Sequence, residues 1–210
     1  MHALLLAAAI AIPKIELLYP APLGSVFDRN CAAAEAGEIQ ETIRRNPEFQ
    51  RKWDEEGPAY LRAAFREVGQ PFPYHEMQMA MTVCPATSTM SLPLMINMRQ
   101  FLSTAKSTPP PDDFAEKIFH ELMHHYVHPV MAQSALRKKY SAEAPVVLSH
   151  LHVMALEKFV LEKLGKRDEL KFLEQEYQGE PRYKRAWEIM NVEGERAFIE
   201  ELRDTRAHSR

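Results

Sequence analysis

Four of the chain's nine histidines and one glutamate fall within the stretch IFHELMHHYVHP, Ile118 to Pro129. His120, Glu121 and His124 spell HExxH. On a helix, residues four apart sit one above the other with Cβ atoms about 5–6 Å apart, so two imidazoles can reach one ion at about 2.0–2.1 Å. The carboxylate beside the first histidine faces the same side and can take a proton from water at the ion. The pattern points to Zn2+ held by His120 and His124, with Glu121 as general base. His128 lies about 12 Å along the axis from His120, too far to share an ion with it on a straight helix, and His125 is turned about 100° from His124. Both are expected to be structural histidines.

A catalytic zinc usually takes three protein ligands and a water. Candidates for the third lie in the long run after Ser141, where Glu143, His150 and Glu157 fall near one helical stripe with neighbours about 10 Å apart, so only one of them can reach the ion. His152 is turned about 160° from His150. If this run returns antiparallel to the HExxH helix, the position level with the ion comes six to eight residues after Ser141, close to His150. His150 is therefore the expected third ligand, with Glu143 and Glu157 as alternatives. Those that do not ligate are candidates for orienting a ligand ring or stabilising an oxyanion, and Tyr140, His152 and Tyr183 are further possible oxyanion donors.

These side chains need a scaffold. Asp113 with Glu116 three residues on forms an acidic capping box, from which a helix should run to His128 and stop before Pro129. Phe114, Ile118, Phe119, Leu122, Met123 and Tyr126 cover one half of that helix, with His120 and His124 on the other. A short helix follows, then a long one with Ser141 as cap, Pro145 in the first turn and Gly165 at its end. Upstream, one helix should end before Pro47 and a second should run from Pro58 to Gly69. Between these and the motif, His75 to Val83 and Met90 to Met98 alternate apolar and polar residues, which predicts an antiparallel hairpin. Pro93 cannot donate to a ladder and puts the second strand at an edge, where an extended peptide could pair. The charged C-terminal remainder reads as short amphipathic helices.

HELMH, with its cap, its amphipathic phase, a strand pair upstream and a helix downstream, resembles the zincin metallopeptidases. The resemblance spans Tyr74 to Leu164 and is specific at His120, Glu121 and His124. It implies a mostly helical α+β domain with a small antiparallel sheet or hairpin, an HExxH active-site helix, and zinc-dependent cleavage of a peptide or protein substrate. The metzincin extension is absent, since Val127 and Val130 stand where glycine and histidine would be required. Glu143 follows His124 at the separation found in gluzincin aminopeptidases, although the Asn-Glu pair of that group reads Ala142-Glu143 here.

At 210 residues and 46% hydrophobic content, the chain suits one domain, placed at 23–210. Residues 1–22 include an apolar run with small-x-small sites at Ala7–Ala9 and Ala9–Ala11. They are a candidate signal peptide or N-terminal apolar segment, which implies a periplasmic or secreted protein with no stable membrane insertion after processing. Cys31 and Cys84 could form one bridge in such a compartment or remain two buried thiols. The net charge of -3, spread along the chain, marks no nucleic-acid surface. A non-catalytic metal-binding or interaction protein is the competing function, and Glu121 separates the two because a metal buffer has no need of a carboxylate there.

Overall fold

The structure, a computed structural model, describes residues 10–19, 31 and 34–207. β1 (Lys14–Leu18) leads into α1 (Ala36–Val68), followed by β2 (Glu76–Thr82), β3 (Met95–Asn97) and a single 3-10 turn. Six helices complete the chain: α2 (Asp113–Met131), α3 (Ala135–Lys139), α4 (Pro145–Lys163), α5 (Arg167–Gly179), α6 (Pro181–Glu193) and α7 (Glu195–Ala207). β1 lies inside the stretch 1–22 and belongs to the folded sheet, whereas residues 1–9, with most of the apolar run, lie outside the described residues.

The sheet is parallel. Its order is β1-β2-β3, with Leu18 opposite Ala80 and Thr82 opposite Asn97. The antiparallel hairpin expected from the alternation does not form. Met79 and Met81 do face the main core, as the pattern requires. A period of two, however, is common to both pairing directions. The direction is set by the connection: Met90 and Met95 exchange both backbone hydrogen bonds, so the chain doubles back there and enters β3 running the same way as β2. Asn97 braces this loop, donating from Nδ2 to the carbonyls of Cys84 and Thr87 and from its backbone N–H to Thr89 Oγ1. A Cys31–Cys84 disulfide ties the loop's start to the segment before α1. Pro93 sits in the loop rather than in the edge strand, and the outer side of β3 is occupied by Thr89 and Met90, so β3 itself offers no edge to a substrate.

The boundaries of three helices also differ from expectation. α1 runs through both Pro47 and Pro58. Each proline costs one backbone hydrogen bond, but Pro47 is exposed and Pro58 half-buried, while Phe49, Trp53, Tyr60, Leu61, Phe65 and Val68 keep one face continuously packed. Gly57 is required on that face, because a Cβ there would lie 2.4 Å from the Trp53 ring. α2 likewise passes the exposed Pro129 and buries Val130 and Met131 beyond it. α4 opens at Pro145, with Ala144 rather than Ser141 at its N-cap. Gly69 and Gly165 follow their helices in the left-handed conformation, as expected.

α4 is the centre of the molecule, packed against α1, α2, α5, α6 and α7 and apolar around most of its circumference. Its buried polar side chains must therefore find partners on other elements. His152 meets Glu201 of α7 at 2.7 Å, and Glu157 meets α2 and α5. Among the described residues no helix is long and apolar enough to cross a membrane.

Candidate metal centre

α2 and α4 run antiparallel, since His120 faces Glu157 while His124, one turn later, faces His150. This register brings His120, His124 and His150 into one cluster whose ring nitrogens lie within 4.8 Å of one another. His120 Nε2 and His124 Nε2 are 3.3 Å apart. Two nitrogens at about 2.05 Å from one tetrahedral ion would be separated by about 3.3 Å, so the spacing fits zinc as it stands. The rings meet at centroid distances of 4.6–5.3 Å.

The tautomers are set for ligation. His120 Nδ1 is 2.6 Å from Glu157 Oε1, and His150 Nδ1 is 2.7 Å from the Val146 carbonyl. Each Nδ1 thus carries the proton, leaving the Nε2 lone pair for an ion. Burial, followed by the neighbouring His120, holds His150 neutral, its pKa down at about 4. Burial, followed by His120 and His150, takes His124 down to about 2. Three imidazoles facing one point, two of them held neutral by burial, form a donor set for a cation.

Glu157 is the carboxylate that orients this set. It is wholly buried and accepts the Tyr177 hydroxyl at 2.6 Å on the oxygen that does not face His120. It therefore sits behind His120, on the side away from His120 Nε2, and not among the converging nitrogens. The side chain of Glu116, four residues before His120, interacts in turn with Glu157. Burial raises the pKa of both carboxyls, most strongly that of Glu116, which is consistent with a protonated Glu116 donating to Glu157.

Glu121 lies where two cavities meet. One, of about 290 Å³, is lined by Glu116, Lys117, His120, Tyr177 and Glu180; the other, of about 600 Å³, by Tyr74, Met90, Leu92, His124 and His150; Thr89, Glu121 and Tyr183 border both. Burial pushes the Glu121 carboxyl up to about 7 against the opposing effect of His120. Tyr183 packs tilted against His150, with ring centroids 4.5 Å apart, and is oriented by Glu180, whose carboxylate accepts the Arg182 and Tyr183 backbone N–H groups at the start of α6.

The other candidates lie elsewhere. Glu143 pairs with Arg185 at the surface, Tyr140 with Glu193, and His152 with Glu201. His125 donates to the Ser91 carbonyl at 2.8 Å, pinning the β2–β3 loop onto α2, and His128 is exposed at the mouth of the larger cavity. Sequence reasoning did not find Tyr177, whose place depends on how α5 packs. It read Glu116 only as a cap, although a carboxylate one turn before His120 shares its helical face.

No protein-family model, curated protein or solved structure matches the chain. The functional reading therefore rests on the residues themselves.

Proposed function

We propose that the protein is a zinc-dependent hydrolase of peptide-type amides, zincin-like in its HExxH centre. The observation that carries the reading is the convergence of His120, His124 and His150 nitrogens beside Glu121 at the junction of two cavities. His120, His124 and His150 would hold a zinc ion, which would supply a Lewis acid to polarise the carbonyl and acidify water. Glu121 accepts the proton of the attacking water as the new C–O bond forms, then delivers it to the amide nitrogen as the C–N bond breaks. Glu121, raised by burial, would be favoured in its ionised form by a cation held at the three imidazoles. Tyr183, bordering both cavities, can donate to the oxygen on which negative charge develops.

An extended substrate has a place to lie. Because Met90 turns its backbone groups toward β3, those of Thr89 point the opposite way, and the Thr89–Leu92 segment rims the larger cavity. Tyr74, Met90, Leu92 and Met131 make that rim apolar, which suits apolar side chains on one side of the scissile bond. The Cys31–Cys84 bridge supports export to an oxidising periplasmic or extracellular compartment.

The test is elemental analysis of protein purified without chelators, followed by cleavage of a peptide library by the parent and by Glu121→Gln. One zinc per chain, cleavage by the parent and none by the zinc-loaded variant are expected. Zinc without cleavage in the parent would leave a non-catalytic metal-binding protein. Full cleavage by Glu121→Gln would remove Glu121 from the mechanism.

A further inference from the structure

On the far side of Glu116 from His120 lies a second cluster that the hydrolase mechanism does not use. Carboxylate oxygens of Asp113, Glu116 and Glu169 come within 4.8 Å of one another, and all three residues are at most 1% exposed. Asp113 has partners: Lys117 Nζ at 3.1 Å and Gln100 Nε2 at 2.8 Å. Glu169 has none, since neither of its oxygens finds a hydrogen bond among the described residues. Glu116 Oε1 is also without one. A separate element points the same way: the Tyr60 hydroxyl of α1, on a residue only 1% exposed, has no hydrogen-bond partner among the described residues, and its pKa is raised first by burial and then by the charges of Asp112, Glu116 and Glu169.

We propose that Asp113, Glu116 and Glu169 form a second, all-oxygen site that takes a calcium-sized divalent cation, with the Tyr60 hydroxyl beside it. The site is short of positive charge. Lys117 Nζ lies 3.1 Å from Asp113 and 2.9 Å from Glu176, so this one cation serves both pairs, and a divalent ion, displacing the proton that Glu116 otherwise holds, would offset the carboxylates of the cluster. Protons could offset them too, and burial does raise Glu169 to about 8. Protonation, however, supplies no partner for the buried Glu169 oxygens among the described residues, whereas an ion uses them directly.

The donors select the ion. An all-carboxylate set suits a hard cation, and calcium takes such oxygens at about 2.3–2.6 Å in flexible geometry, whereas magnesium dehydrates reluctantly and usually keeps several waters, for which a buried carboxylate cluster is a poor host. Zinc, with its preference for nitrogen and sulfur, goes to the histidines. The two sites share the Glu116 side chain, which reaches the Glu169 cluster on one side and Glu157, the partner of His120, on the other.

The proposal is tested on the full chain, stripped with a calcium chelator and reloaded with zinc, by thermal melting against added calcium and by terbium luminescence sensitised through the adjacent Tyr60. At calcium a hundredfold above its Kd, the melting temperature should rise by roughly 5–10 °C. Terbium emission should appear and be displaced by calcium. Glu169→Gln, which keeps the shape and removes the charge, should fold yet lose both responses. His124→Ala, emptied of zinc, should keep both, which separates this site from the histidine centre whatever the fate of the hydrolase reading. A parent whose melting temperature ignores calcium, or a Glu169→Gln that responds as the parent does, overturns the proposal.

Discussion

Glu157→Gln isolates the contribution of a single buried charge to the histidine centre. In the parent, Glu157 Oε1 holds His120 Nδ1 at 2.6 Å and Oε2 accepts the Tyr177 hydroxyl at 2.6 Å. The amide has the same shape and can still accept from Nδ1–H, so the ring stays oriented, but the charge that makes Nε2 more electron-rich is gone. A charge-assisted hydrogen bond is roughly twice as strong as a neutral one, and loss of such a partner typically costs 10- to 100-fold in metal affinity. That range corresponds to about 1.4–2.7 kcal/mol. Zinc-free stability should move the other way. Burial raises the Glu157 pKa in the folded state, so above its unfolded pKa the ionised carboxylate weighs against folding, and the neutral amide removes that cost. The assay is competition for zinc against a chromophoric chelator, paired with thermal melts of chelator-treated protein. The expected result is a 10- to 100-fold weaker Kd with a zinc-free melting temperature equal to or above the parent's. An affinity within twofold of the parent, or a loss that merely tracks a lower zinc-free melting temperature, would refute the role assigned to Glu157.

His150→Ala should lose zinc under mild chelation, whereas Glu143→Ala, which removes only a surface pair with Arg185, should bind it like the parent; the same competition assay separates them. Burial pushes the Glu201 carboxyl up, but hydrogen bonds from His152, Ser134 and the Leu136 N–H outweigh it and hold the pKa at about 2. The stability this supplies is complete above the unfolded carboxylate pKa and is lost as pH falls toward 2. Glu201→Gln should therefore cost on the order of 2 kcal/mol at pH 7 and flatten the acid limb of a denaturation series between pH 5 and 2. Gly57→Ala drives a methyl to 2.4 Å from the Trp53 ring and should cost about 1–3 kcal/mol, read as a lower midpoint in urea; an unchanged midpoint would mean α1 and Trp53 shift freely.

Local chemistry explains which features were legible. HExxH on an amphipathic helix is a statement about residues within two turns, so the core half from Phe114 to Tyr126 and the polar half with His120 and His124 follow from helical geometry alone. Gly69 and Gly165 end their helices because only glycine takes the left-handed conformation without strain. His150 could be preferred over Glu143 and Glu157, though not singled out, because two antiparallel helices with a short connector limit the register.

Features that depend on distant partners were not legible. Strand alternation is identical for parallel and antiparallel pairing, so the direction of β3 waited on the Met90–Met95 turn-back and on Asn97. Local rules stop a helix at proline, but Pro47, Pro58 and Pro129 lose one hydrogen bond each while long apolar faces remain packed, and burial outweighs that loss. Glu143, His150 and Glu157 share a stripe in the sequence. Only the packing of α2, α5 and α6 around α4 turns His150 toward the converging nitrogens, sets Glu157 behind His120 with Tyr177, and leaves Glu143 at the surface. Side-chain types determine what chemistry is possible, but the roles within a site depend on which buried polar atoms the neighbouring helices can satisfy, and that is settled by tertiary packing.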